Sequence, residues 1–344
     1  MDEPMVDVQD VAQETPADDV FRAPSINTEQ ILKGASYAHY SPIPEVIAND
    51  MTTECVLGVD EAGRGPVLGP MVYALLYLPL SEHRSLLAET HHFDDSKVLQ
   101  PAVRSSLMET LCTADTDLYQ RCGWATKVMS ARDISAGMLK AGGTYNLNAQ
   151  AMDATVELIK RVFAMGVNVK EIYIDTIGQP AAYQKKLERI FPTVHITVAK
   201  KADSLYPCVS AASVCAKVTR DAALDVCYET YASSAGETYA SSAGETPASA
   251  GGWGSGYPSD ARCSTWLKRN MDPVFGWGAE CRFSWGTAKD MLEDKKSNGV
   301  KVDWPVEDDD EGANISSYFS GLQDDQGGDE LSNWFGRRVT EEVF

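Results

Sequence analysis

The sequence predicts an α/β fold: a mixed five-stranded sheet flanked by helices, with a small helical appendage near the C-terminal end. Three observations carry this prediction. Five short apolar runs of strand type lie between residues 56 and 198. The early runs follow one another, and the later ones alternate with helical periodicity, which is the pattern of a sheet covered by helices. After a low-complexity interruption, the stretch from Gly254 to Asp290 regains aromatic and apolar residues.

Taken in order, residues 1–50 are rich in Pro, Asp and Glu without sustained periodicity, and read as a mostly disordered acidic leader. The catalytic domain is expected over 51–228. Val56–Val59 and Met71–Leu78 read as buried strands, and Trp124–Met129 as a third. Ser130-Ala131-Arg132-Asp133 opens a helix, and a longer one runs from near Tyr145 to Met165 and stops at Gly166. Ile172-Tyr173-Ile174 is a fourth strand ending in Asp175. Pro180 to Ile190 is helical, and Val194–Val198 is the fifth strand. Leu205 to about Tyr228 is helical again, with small residues such as Ser210, Ala212 and Ser213 that permit close packing.

Residues 229–252 contain a repeat: Glu229–Gly236 recurs at 237–244, and a degenerate copy starts at Glu245. Units this short cannot build a solenoid, so they read as a flexible insertion. Residues 253–293 form the helical appendage, and 294–344 read as an acidic, mostly disordered tail. Within that tail, Leu331–Val339 is an aromatic–basic island with the character of a docking peptide.

The net charge of −20 is concentrated at the ends. Residues 1–50 carry 10 acids and 2 bases, and residues 301–344 carry 12 acids and 3 bases, which leaves 51–300 at −3. Between Tyr183 and Arg220, seven bases face two acids, an electrostatic footprint suited to a phosphate backbone. No apolar run is long enough to span a membrane, and the acidic start lacks a secretory signal. The eight cysteines form no CxxC pair and read as reduced structural thiols of a cytosolic or nuclear protein.

The chemistry lies in four carboxylates at the ends of core elements: Asp60 and Glu61 after the first strand, Asp175 after the fourth, Asp203 after the fifth. Oxygen-only ligation by several acids suits Mg²⁺ or Mn²⁺. Two such ions activate water and stabilise a leaving oxygen in phosphodiester cleavage. Adjacent strand residues point to opposite faces, so Asp60 and Glu61 reach one site only if the strand ends or bulges there. The turn that follows, Gly63-Arg64-Gly65, allows a ligand close to the backbone. It lacks the spacing of a dinucleotide-binding loop. None of the five histidines lies in a motif for metal-free acid–base catalysis.

These residues resemble type 2 ribonuclease H, the ribonuclease HII family, and in particular the catalytic A subunit of the eukaryotic enzyme. The resemblance covers roughly residues 55 to 292. It rests on the ordered set Gly58–Pro70, Asp95-Ser96-Lys97, Tyr145-Asn146-Leu147-Asn148, Asp175–Gly178, Lys201–Pro207 with Ser210–Ser213, and Gly254–Pro258. It implies a ribonuclease H-like fold and an endonuclease that cuts the RNA strand of RNA–DNA hybrids and nicks 5′ of single ribonucleotides in duplex DNA. The products would carry a 3′-hydroxyl and a 5′-phosphate, as in ribonucleotide excision repair and primer removal in the nucleus. By resemblance, Asp60, Glu61, Asp175 and Asp203 hold two Mg²⁺ or Mn²⁺ ions. Gly63, Arg64 and Gly65 contact the 2′-hydroxyl and nearby phosphate, Tyr257 packs on the sugar 3′ to the ribonucleotide, and Lys97 and Arg220 flank the substrate path. Two non-catalytic subunits are implied as partners in a heterotrimer. The competing reading is a non-catalytic hybrid-binding protein that retains the fold. Four retained acids argue against it, because a binding module has no use for their mutual repulsion.

Overall fold

The computed structural model describes residues 21–93, 99–140, 145–176, 178–235, 252–294 and 299–300. Five strands occur where the patterning places them: Cys55–Ala62 (β2), Met71–Pro79 (β3), Gly123–Met129 (β4), Val169–Asp175 (β5) and His195–Ala199 (β6). A sixth, Tyr37–Tyr40 (β1), extends the sheet at its edge beyond β4, so the expected five-stranded sheet is corrected to six. The strand order is β1-β4-β3-β2-β5-β6, with β2–β5 and β5–β6 parallel and the other pairings antiparallel. The sheet is therefore mixed, as expected.

β1 belongs to the segment expected as a disordered leader, and that expectation is corrected from residue 21 onward. Thr28–Leu32 (α1) is capped by the Asn27 side chain, which accepts the Gln30 N–H. Glu45–Asn49 (α2) buries Ile47. Ser25 Oγ hydrogen-bonds Thr219 Oγ1 at 2.8 Å in the interior. The partners that order this acidic segment lie some 190 residues away, so local composition carries no trace of them. Residues 1–20 lie outside the described residues.

Helices cover both faces. Ala131–Met138 (α5), Leu147–Ala164 (α6) and Pro180–Ile190 (α7) pack on the face that carries Leu57, Val59 and Leu75. Pro207–Ala235 (α8) and Pro101–Cys112 (α3) cover the face that carries Val56, Val72 and Ala74. Fully burying each such side chain contributes roughly 1.5–3 kcal/mol. The sequence pattern missed α3 and the short Asp117–Arg121 (α4). The reason is a thin apolar stripe, because α3 buries only Met108 and Leu111 and α4 only Leu118. α8 crosses β2 in close contact at Gly58, where a Cβ would lie 2.3 Å from the Cys208 carbonyl carbon.

α8 also overrides an expected boundary. It continues seven residues past Tyr228, so the first repeat unit begins as helix rather than loop. Tyr231 of that unit packs edge-on against Trp266 at 5.0 Å and beside Trp253 at 6.0 Å, which fixes the added turns to the appendage. Residues 236–251 lie outside the described residues, as does the tail from 301 with its aromatic–basic island. The appendage contains Ala261–Arg269 (α9) and Gly286–Glu293 (α10), and its core joins Trp253, Leu267 and Trp277 to Leu68 and Leu224. All eight cysteines are free thiols, six of them buried, in keeping with the structural role expected for them. Among the described residues no helix is long and apolar enough to cross a membrane.

Candidate active site

The site lies where one strand outruns its neighbour. β2 and β5 pair in parallel only as far as Val59 opposite Ile174, while β2 continues to Ala62 with β3 as its sole partner. The strand neither ends nor bulges at Asp60, contrary to the sequence argument. Its β5-side ladder ends instead, and the open notch lets side chains from opposite faces meet. Asp60 and Glu61, although alternate in direction, both line one cavity of about 440 Å³ with Asp175 and Asp203. Asp175 is the last residue of β5, and its Oδ1 accepts the Ala202 N–H at 2.9 Å. That bond ties it to the turn Ala202–Ser204, which carries the buried Asp203 and is entered through Lys201 at φ 56°. All four predicted acids are thus brought together.

Their electrostatics are unfavourable without a counter-charge. Burial raises the Asp60 pKa well above the usual range, with further upward pressure from Glu61 and Asp175. Hydrogen bonds from Ser213 and from the Glu61 N–H, 2.8 Å from Asp60 Oδ1, oppose the rise. Glu61 is pushed up to about 7, first by burial; the Arg64 guanidinium opposes this, and Asp175 and Asp203 add to it. Among the described residues no three such side chains close around one point as a ready chelate. The donor set still fits Mg²⁺, which uses one or two carboxylates and completes its shell with water and phosphate oxygens.

The glycine–arginine turn forms the next wall. Gly63 has φ 77°, and a Cβ there would lie 2.7 Å from the Pro70 carbonyl oxygen. Its carbonyls are held from behind by a residue the sequence reading missed. Arg282, fully buried, donates to Gly63 O at 2.6 Å, Arg64 O at 3.0 Å and Gly69 O at 3.0 Å. Burial lowers its pKa to about 9, with Arg220 adding to the fall, so it remains a cation at neutral pH. Trp285 stacks on the guanidinium at 4.7 Å and donates its indole N–H to Gly65 O at 3.0 Å. With the carbonyls committed, no acceptor among the described residues takes the amides of Gly63, Arg64 and Gly65.

Tyr257 is 40% exposed and stands against Gly65, where an added Cβ would lie 2.9 Å from its Cε1. Arg220 lines the cavity, yet it is 7% exposed and largely occupied. It pairs with Asp221 and donates to Ser255 O at 2.6 Å, fastening the Tyr257 loop to α8. Arg64 donates to Asn148 Oδ1 at the start of α6. Lys97 lies outside the described residues. Arg104, Ser213 and Lys217 also line the cavity and were not singled out from sequence. A lone arginine in the aromatic segment 280–285 was the only signal for Arg282.

A carboxylate cluster at the notch of a mixed sheet, walled by a turn with free amides, defines a nuclease of the ribonuclease H fold. The profile of the ribonuclease HII family matches residues 57–288, and the chain belongs to that family. Its activity is that of a type 2 ribonuclease H, an endoribonuclease. The A subunit of ribonuclease H2 from Neurospora crassa is 56% identical over 344 residues, covering 99% of this chain and 100% of the relative. The corresponding Homo sapiens protein is 41% identical over 279 residues, covering 81% of this chain and 85% of the relative. Among solved structures, ribonuclease H2 of Pyrococcus horikoshii aligns with TM-score 0.51 and 26% identity, covering 68% of this chain and 95% of that one.

Proposed function

We propose that the chain is the catalytic member of a complex that cuts the RNA strand of RNA–DNA hybrids and nicks duplex DNA 5′ of single ribonucleotides. One observation carries this reading: the four acids share a single cavity with the Gly63–Gly65 turn and Tyr257. Divalent cations, Mg²⁺ or Mn²⁺, would be held by Asp60, Glu61, Asp175 and Asp203 and would supply activated water and charge stabilisation for the leaving oxygen. The protein's own part is recognition and alignment. The free amides of the turn suit the 2′-hydroxyl, the group that distinguishes RNA from DNA. Tyr257 offers an exposed ring for the sugar that follows, and Arg64 and Lys97 supply positive charge to the phosphates. The cut strand retains a 3′-hydroxyl and a 5′-phosphate.

The relatives from Neurospora crassa and Homo sapiens are named as one lettered component of ribonuclease H2, which supports assembly with two non-catalytic partners in the nucleus. The leader, the repeat insertion and the acidic tail are proposed as accessory to the catalytic part. The test is a nicking assay on a duplex with one embedded ribonucleotide, with the chain alone and with candidate partners. Mg²⁺-dependent nicking that is lost in Asp60→Asn and Asp175→Asn is expected. Undiminished nicking by either variant overturns the assigned roles.

A further inference from the structure

Glu61, Arg64 and Asp175 form a wall with two sides. On the α6–α7 face a second cavity of about 220 Å³ opens against these three residues, lined beyond them by Tyr73, Asn148, Thr176, Gln179 and Lys186. Three features there are incomplete within the protein. Tyr73 is 3% exposed, and its hydroxyl has no hydrogen-bond partner; the Arg64 guanidinium lies near it, outside hydrogen-bonding geometry. An unsatisfied buried hydroxyl costs on the order of 1–3 kcal/mol, which a ligand oxygen would recover. The 11-residue helix α7 begins here with no side-chain cap from Gln179 and with Pro180 in its first turn. Its first amides therefore point outward with the positive end of the helix dipole behind them. Lys186, further along the same helix, lines the cavity and has no ion-pair partner among the described residues.

A cation, an uncapped helix start and a buried hydroxyl converging on one small space are the recognition set for a phosphate. The carboxylates in the shared wall repel such a group, and divalent cations on their far side offset that repulsion. The second cavity is thus coupled to the first by charge.

We infer that this cavity seats a backbone phosphate of the nicked strand, 5′ of the scissile bond, through Lys186, the start of α7 and the Tyr73 hydroxyl. The inference rests on the proposed activity, which sets the direction. Tyr257 and the Gly63–Gly65 turn lie on the other side of the acids and hold the ribonucleotide 3′ of the cut. A strand crossing the acids then leaves on the α7 side.

The test measures binding of the full chain to a duplex with one ribonucleotide, by fluorescence anisotropy in Ca²⁺ across a salt series. Lys186→Ala should lower the slope of log K against log salt by about 0.9, the loss of one phosphate contact. A neutral methylphosphonate placed singly along the nicked strand should weaken the wild type at one position 5′ of the cut and leave Lys186→Ala unaffected there. Tyr73→Phe, which keeps the buried ring, should weaken binding at the same position. An unchanged slope, or identical methylphosphonate profiles for wild type and Lys186→Ala, overturns the inference. So does saturable thermal stabilisation by inorganic phosphate alone that disappears in Lys186→Ala, because the cavity would then serve free phosphate. A wild-type chain that fails to nick refutes the proposed activity. One that nicks without a Lys186 effect refutes only the subsite.

Discussion

Glu61 should destabilise the metal-free protein at neutral and alkaline pH, and Glu61→Gln should relieve it. The folded-state pKa of about 7 lies above the ordinary 4.5, so between those values the folded protein retains a proton that the unfolded chain has lost. Stability falls with rising pH wherever the native state binds more protons. The contribution is intact below pH 4.5, declines through the window and is lost above pH 7. At about 1.4 kcal/mol per unit, the span corresponds to about 3 kcal/mol. Glu61→Gln removes the titration, and it also eases Asp60, whose pKa Glu61 raises, so both effects act in the same direction. Urea melts in EDTA at about pH 4.5, 6 and 8 should show the variant near wild type at the lowest pH and about 3 kcal/mol more stable at the highest. Mg²⁺ should narrow the gap at the highest pH by stabilising the wild type. A gap that is independent of pH, or a variant less stable than wild type at alkaline pH, refutes the argument that the acids are crowded and uncompensated.

Other substitutions separate scaffold from recognition. Arg282→Met leaves three carbonyls of the glycine–arginine segment without their donor and should cost at least about 3 kcal/mol by chemical denaturation, with nicking reduced more than tenfold. Gly63→Ala meets a backbone oxygen at 2.7 Å and adopts a left-handed φ, so a loss of about 1–3 kcal/mol in denaturant melts is expected, together with impaired nicking. Gly65→Ala meets only the half-exposed ring of Tyr257, which can swing away. Its melting temperature should stay within a few degrees of wild type, while nicking at a single ribonucleotide falls about tenfold or more, as in Tyr257→Ala.

Where structure depends on local pattern, the sequence revealed it. The five principal strands are apolar runs with clear ends, and α7 occupies the span expected for it, from Pro180 to Ile190. Where structure depends on distant partners, the sequence was silent. β1 is four half-buried residues that become a strand by pairing with β4, and the first repeat unit becomes helical because Tyr231 finds Trp253 and Trp266. The four acids were legible because each terminates or follows a recognisable core element. Their convergence was not, since it arises from β2 outrunning β5, a difference of register that no single strand encodes.

Arg282 shows why the recognition turn could be read but its support could not. A glycine–arginine–glycine sequence announces a backbone that can approach a ligand, whereas the direction in which its amides point is decided by whatever binds the carbonyls. Here that task falls to a cation more than 200 residues away, buried with Trp285 against it. Burying a guanidinium is costly unless its donors are matched, and the three carbonyls provide the match. Placing the anchor in the appendage makes the appendage part of the site: displacing it would release the turn while leaving the four acids in place. The orientation of the turn, and with it discrimination between ribose and deoxyribose, is therefore separable from the carboxylate chemistry. Loss of selectivity with retained acids is the signature expected of damage to the α9–α10 region.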